Sequence, residues 1–333
     1  MATDSPRTML TALTPNSADH PRPVITAGET MALMVPRSPG RLRHATSLSL
    51  SIGGAESNVA IGLARLGIPA SWISIVGDDE LGELVLHRLR AEGVDTGAVT
   101  RTPDRPTGLY LREEVGSRLR VYYYRTGSAA STLAPGAFEP GILEGAAFLH
   151  LTGITGALSA ECAEFLPWAA KAAHDAGVRV SYDVNYRSRL WGPSVARAAT
   201  EALLPLVDVL FVGDEEATAL WGWDGNTALD RLSSAGPGEV VLKLGARGCI
   251  ALVEGGQLSS PGFPAHERDP IGAGDAFAAG YLAAALWGWA PEDRLRTANA
   301  MGAWCVQNLG DYEGLPSRRE LLGFLEQTPD LGR

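Results

Sequence analysis

The chain has 333 residues, 45% of them hydrophobic and 20% charged, with a formal net charge of −10. This balance is far from that of disordered or collagen-like chains, and its acidity argues against a nucleic-acid partner, which calls for a clustered basic surface. Cys162, Cys249 and Cys305 are widely scattered, the six histidines show no ligand spacing, and no stretch approaches the ~20 apolar residues of a membrane span; a cytoplasmic protein with reduced thiols is expected.

Residues 1–22, rich in proline and polar breakers, are read as a disordered leader rather than a signal-peptide core. Residues 23–333 are read as one α/β domain. Short β-branched runs predict strands at Val24–Ala27, Trp72–Val76, Phe148–Leu151, Val178–Asp183, Val209–Val212 and Val240–Leu244. Helical patterns fall between them at Glu56–Leu66, Glu80–Glu92, Ala160–Ala176, Pro193–Leu203 and Asp214–Trp221. Such alternation implies a central, mostly parallel sheet with helices on both faces and right-handed crossovers. After Asp275 the pattern is almost entirely helical.

Two segments interrupt the alternation. Residues 33–52 lack a helix period, and residues 107–125 read as a hairpin turning at Val115-Gly116-Ser117. Both are assigned to a small β-rich lid over the carboxyl edge of the sheet, where open α/β sheets bind ligands. Strand alternation places Tyr123 and Arg125 on one hairpin face and Tyr122 and Tyr124 on the other.

Chemistry concentrates in Arg268-Asp269-Pro270-Ile271-Gly272-Ala273-Gly274-Asp275-Ala276-Phe277. Two glycines opening into an apolar helix expose backbone N–H groups and form an anion site. A carboxylate there repels phosphate unless it has its own task, such as taking the proton of an attacking hydroxyl. Asp275 as a simple helix-start residue is the equal alternative on this segment alone. A second glycine pair, Ile52-Gly53-Gly54-Ala55-Glu56-Ser57-Asn58, also runs into a helix, and Asn58 offers a donor and an acceptor on its first turn.

Together the two segments resemble the two signatures of the ribokinase-like (PfkB) family of carbohydrate kinases, and the resemblance spans about Pro23 to Leu325. It implies a ribokinase-like fold, ATP with Mg2+, and phosphorylation of a primary sugar hydroxyl. Asp275 would be the base, with Gly272, Ala273 and Gly274 as the anion hole. Lys243-Leu244-Gly245-Ala246-Arg247-Gly248 looks like the family's nucleotide loop, giving Lys243, Gly245, Ala246 and Gly248 to ATP together with Gly272, Gly274 and Asn299. Glu216 matches a glutamate that reaches the metal through water, but Gly213 replaces the asparagine that often precedes it.

Within the family, Thr107–Glu113, Tyr123–Ala129 and Asp183-x-Asn185-x-Arg187 look like the 2-keto-3-deoxygluconate kinase branch. That likeness implies a substrate site of Gly54, Asn58, Tyr110, Tyr123, Arg125, Ile154, Arg187 and Asp275. Arg125 and Arg187 would hold a sugar carboxylate, for which two guanidinium groups are well suited. A fructokinase or other neutral-sugar kinase is the alternative, and a catalytically silent sugar- or nucleotide-binding regulator a third. The partner expected is a small sugar or sugar acid, with neither nucleic acid nor membrane. An exposed lid strand edge invites pairing with a second lid, hence a homo-oligomer.

Overall fold

In the computed structural model residues 21–116 and 118–327 are described. The expected leader up to residue 20, Ser117 of the hairpin turn and residues 328–333 lie outside them. Arg22 is already packed, its Nε donating to the Gly145 carbonyl at 3.1 Å.

The strands are β1 Val24–Ala27, β2 Met31–Pro36, β3 Leu48–Gly53, β4 Ala70–Gly77, β5 Val99–Thr102, β6 Leu109–Val115, β7 Arg118–Tyr124, β8 Phe148–Thr152, β9 Arg179–Asp183, β10 Val209–Gly213, β11 Glu239–Lys243, β12 Cys249–Val253 and β13 Gly256–Ser260. The helices are α1 Ala55–Arg65, α2 Glu80–Ala91, α3 Gly153–Gly156, α4 Ala160–Asp175, α5 Pro193–Leu203, α6 Asp214–Trp221, α7 Gly225–Ser233, α8 Ala273–Leu286, α9 Pro291–Cys305 and α10 Arg318–Gln327.

Nine strands form one sheet in the order β13-β12-β11-β10-β9-β8-β1-β4-β5. Every pairing from β11 to β5 is parallel, and only β12 is reversed, pairing antiparallel with β11 on one side and β13 on the other. The central strands are short apolar runs buried along their whole length, as a parallel sheet covered on both faces requires. One face packs Trp72, Phe148, Phe211 and Val241 under α1, α8 and α9. The other packs Ile73, Leu149, Val180 and Leu210 under α4, α5 and α7. Helix α8 is apolar on all sides and accordingly buried over most of its length.

A second sheet, in the order β3-β2-β6-β7, joins the two segments that interrupt the alternation. Its register aligns Leu33, Tyr110 and Tyr123 on one face and Leu50, Met34, Leu111 and Tyr122 on the other. The first face turns inward, where Met31, Leu33 and Tyr110 make a small apolar cluster. The second is exposed: Leu50 is 48% and Tyr122 39% accessible, and Tyr124, on the same face, 64%.

Candidate active site

The carboxyl ends of β9, β10 and β11, the first turns of α1 and α8, and the inner face of the small sheet enclose a cleft of about 790 Å³. Of the residues expected at a site, Gly54, Asn58, Tyr110, Tyr123, Arg125, Ile154, Arg187, Glu216, Lys243, Gly245, Gly272, Gly274 and Asp275 all line it. Segments from every third of the chain therefore meet in one place.

The floor is the start of α8. Gly272, its N-cap, is left-handed (φ +79), and a Cβ there would lie 2.2 Å from the Asp311 carbonyl oxygen. Only glycine fits both the conformation and the space. The first N–H groups of a helix have no intrahelical acceptor, and they carry the positive end of its dipole. Asp275 stands on this turn, 8% exposed. Burial raises its carboxyl to about 7 and Asp183 adds to the rise, while the Asn58 hydrogen bond, Arg187 and Lys243 oppose it. Asn58 Nδ2 donates to Asp275 Oδ2 at 2.8 Å. One carboxylate oxygen is thus fixed and the other stays free to accept a proton.

Beside it, Lys243 at the end of β11 donates to Asp183 Oδ2 at 2.6 Å. Its ammonium lies 3.5 Å from where a Cβ on Gly274 would stand, directly against the helix start. Burial works to lower its pKa, but Asp183 and Glu216 outweigh that and hold it above the ordinary value. Glu216 closes its own helix start: its Oε1 accepts from the Tyr186 amide and its Oε2 from the Gly213 amide, each at 2.7 Å. Gly213 thus serves through its backbone, and the glutamate's side chain does the capping. Burial still raises Glu216, against the pull of Lys243.

On the opposite wall Tyr110 and Tyr123 stack with ring centroids 5.7 Å apart. A Cβ on Gly53 would come within 2.0 Å of the Tyr110 hydroxyl, so that turn is glycine because the phenol needs the space. The two arginines differ. Arg125 is buried and ion-paired, its Nε donating to Glu29 Oε2 at 2.7 Å and its Nη2 to the same oxygen. Arg187 is exposed to the cleft and forms no ion pair among the described residues. The chain delivers it there by a sharp bend after β9, with Asn185 at φ +41 and its amide donating to Asp183 Oδ1 at 3.2 Å. The buried side-chain oxygens of Asn58 and Asn185, both lining the cleft, have no hydrogen-bond partner among the described residues.

Ala246, Gly248, Ala273 and Asn299 are not among the lining residues. Gly248 packs on the Ser260 backbone. The Asn299 amide is spent on the carbonyls of Ser260 (3.1 Å) and Pro261 (3.3 Å), behind the cleft. Glu29 and Asp311 stand outside the motifs singled out in the sequence and Arg112 inside Thr107–Glu113, and each acquires its role only from partners far away in the chain. Asp183 and Asp269 stand inside the motifs already singled out, and carboxylates there were the available clue.

The sequence profile of the pfkB family of carbohydrate kinases matches residues 23–318. A 2-dehydro-3-deoxygluconokinase from Bacillus subtilis is 39% identical over 310 residues, covering 90% of this chain and 94% of its own. The solved 2-dehydro-3-deoxygluconokinase of Thermotoga maritima superposes with a TM-score of 0.85 at 28% identity, over 93% of this chain and 99% of its own. A ribokinase II-type protein from Escherichia coli, solved with ATP and Mg2+, gives a TM-score of 0.84 at 25% identity, over 92% of this chain and 100% of its own.

Proposed function

We propose, for a chain that belongs to the pfkB family of carbohydrate kinases, that it transfers the γ-phosphoryl group of ATP to the primary hydroxyl of 2-keto-3-deoxygluconate (2-dehydro-3-deoxygluconate), giving the 6-phosphate. The observation that carries the acid reading is Arg187, a guanidinium that forms no ion pair among the described residues and lines the cleft that holds Asp275. The relatives named above agree with it. Unpartnered oxygens on Asn58 and Asn185 suit a polyhydroxylated ligand, since buried polar atoms seek partners. Arg125, already neutralised by Glu29, has N–H capacity left for sugar hydroxyls rather than for the carboxylate.

In this reading the free oxygen of Asp275 receives the proton as the sugar hydroxyl attacks. A carboxyl raised to about 7 is matched to that task at neutral pH. The amides of Gly272–Gly274 and the Lys243 ammonium face the charge on the phosphoryl oxygens. The inner face of the small sheet, with Tyr110 and Tyr123, covers the sugar and limits water at the reacting hydroxyl. ATP lies along the Lys243–Arg247 loop.

Mg2+ keeps several waters and takes one or two carboxylates plus substrate phosphates, rather than a full protein cage. The residues fit that use: among the described residues no three His, Cys, Asp or Glu form a cage, and the Glu216 oxygens, each accepting one amide, retain lone pairs for a water of the hydrated ion. When bound, the ion neutralises phosphate charge.

No helix among the described residues is long and apolar enough to cross a membrane; the compartment that suits an ATP-dependent sugar kinase with three free, buried cysteines is the cytoplasm. The exposed outer face of the small sheet, through Leu50, Tyr122 and Tyr124, is assigned to a second copy of the chain.

The test is ADP release with Mg-ATP and 2-keto-3-deoxygluconate, fructose or ribose. The acid should show the highest kcat/KM. A preference for fructose moves the protein to the neutral-sugar branch, and no sugar-dependent ADP from any of a broad panel makes it a silent binder.

A further inference from the structure

Arg112 lies two residues after Tyr110 on β6, so both side chains are on the inner face of the small sheet. It is 5% exposed. Its Nη2 donates to Asp269 Oδ2, and its Nη1 to Asp311 Oδ1 at 3.2 Å. Asp311 also accepts from the Tyr110 hydroxyl at 2.6 Å. These groups sit at both ends of the site. Asp269 heads the loop that becomes the anion hole, and its carboxylate binds the Ile271 amide at 3.2 Å and the Gly310 amide at 3.1 Å. The Asp311 carbonyl lies directly behind Gly272.

One guanidinium therefore joins the wall that carries Tyr110 to the backbone that precedes and backs Gly272. Two buried carboxylates share a single cation, and burial pushes Asp311 up to about 6 despite the Tyr110 and Arg112 contacts. Such an arrangement is costly, and apolar packing would close a merely structural contact more cheaply. What a planar fork adds is a fixed distance and angle between two carboxylates.

We infer that Arg112 is a positioning residue: it sets the amides of the Gly272–Gly274 turn relative to the sugar-binding wall, so that the phosphoryl group and the accepting hydroxyl are aligned. The inference rests on the kinase reading above. It assigns Arg112 to the reaction step, since an alignment shared by both substrates is needed only when they react.

The test compares wild type with Arg112→Lys, which keeps the charge but cannot bridge both carboxylates at the same geometry. The expected result is a kcat lower by roughly ten- to a hundredfold, the scale of a misplaced reacting group. KM for sugar and for ATP should stay within about threefold. The double variant Arg112→Met/Asp269→Asn, which removes the pair without leaving Asp269 charged, should show the same split; it serves alone should Arg112→Lys fail to fold. Asp269→Asn is the third variant, for use if neither folds, and should also lose kcat selectively. A folded variant with kcat within twofold of wild type overturns the inference, as does a loss confined to KM. Failure of the kinase reading is distinguishable, because wild type itself would then release no sugar-dependent ADP.

Discussion

Asn58 and Asp275, 217 positions apart in the chain, are joined by a 2.8 Å hydrogen bond. Each stands on the first turn of a helix opened by glycines, so the bond brings the two turns face to face. The amide fixes one oxygen of Asp275 and leaves the other for chemistry, which makes the pair the geometric centre of the proposed reaction.

Asp275→Asn keeps the shape and removes the base, so kcat should fall by about 10²-fold or more. Stability should move the other way. A carboxyl whose folded pKa is raised costs nothing while protonated in both states, and it destabilises the fold increasingly over the range where the unfolded chain's carboxyl ionises and the folded one stays protonated. The Asn variant should therefore gain thermal stability over wild type as pH rises from about 4 to about 7, and keep the gain above that. The gain is a few kcal/mol at most, at about 1.4 kcal/mol per pKa unit. Melting curves across pH that run parallel for the two proteins would count against a buried, raised Asp275.

Asn58→Ala removes a donor that lowers the Asp275 pKa. The acidic limb of the kcat/KM profile, expected near pH 7 in wild type, should move to higher pH. Activity at pH 6 should fall by a larger factor than at pH 8.5. A uniform loss at every pH would mean that Asn58 acts on substrate alone.

Arg187 and Arg125 should separate in substrate selectivity. A charge-assisted hydrogen bond is worth roughly 1.5–3 kcal/mol, so Arg187→Ala should raise KM for the sugar acid by about ten- to a hundredfold while sparing a neutral analogue. Arg125→Ala, at a site whose charge Glu29 already balances, should weaken acid and neutral analogue by similar factors. If Arg125→Ala is the variant that loses acid selectivity, the carboxylate belongs to the small sheet instead.

Leu50→Lys places a charge on the exposed face of the small sheet without touching the cleft. If a second copy covers that face, sedimentation should show wild type as a dimer or larger and the variant as a smaller species. A wild-type monomer at micromolar concentration removes this face as a homo-oligomer interface.

The expected central strands and helices coincide with observed ones to within a few residues, because each is a local apolar run or a helical period. Asp214–Trp221 is read at its observed bounds, with three acidic residues on its first turn. The elements that were missed are less apolar or less regular. β5 carries only partly buried and exposed residues, and β12 and β13 form an edge hairpin in which β12 alternates buried and half-buried residues and β13 is mostly exposed. Helix α7 is strongly amphipathic but only nine residues long, and its Asp224-Gly225-Asn226 start reads as a turn.

The sequence by itself determined that alternation, both glycine-led turns, and the presence of Asp275 and Asn58 at the start of their helices. It also placed Tyr110, Tyr123, Arg125 and Arg187 in segments set apart from the regular pattern. Only the tertiary structure decided that Arg125 pairs with Glu29 while Arg187 forms no ion pair among the described residues, that Asn299 serves backbone carbonyls, and that Arg112 binds Asp269 and Asp311. The reason is physical. Helix starts, strand runs and turns follow from neighbouring residues, whereas the partner of a buried charge is chosen by whichever opposite charge the fold brings within reach, and that choice leaves no period or spacing in the chain.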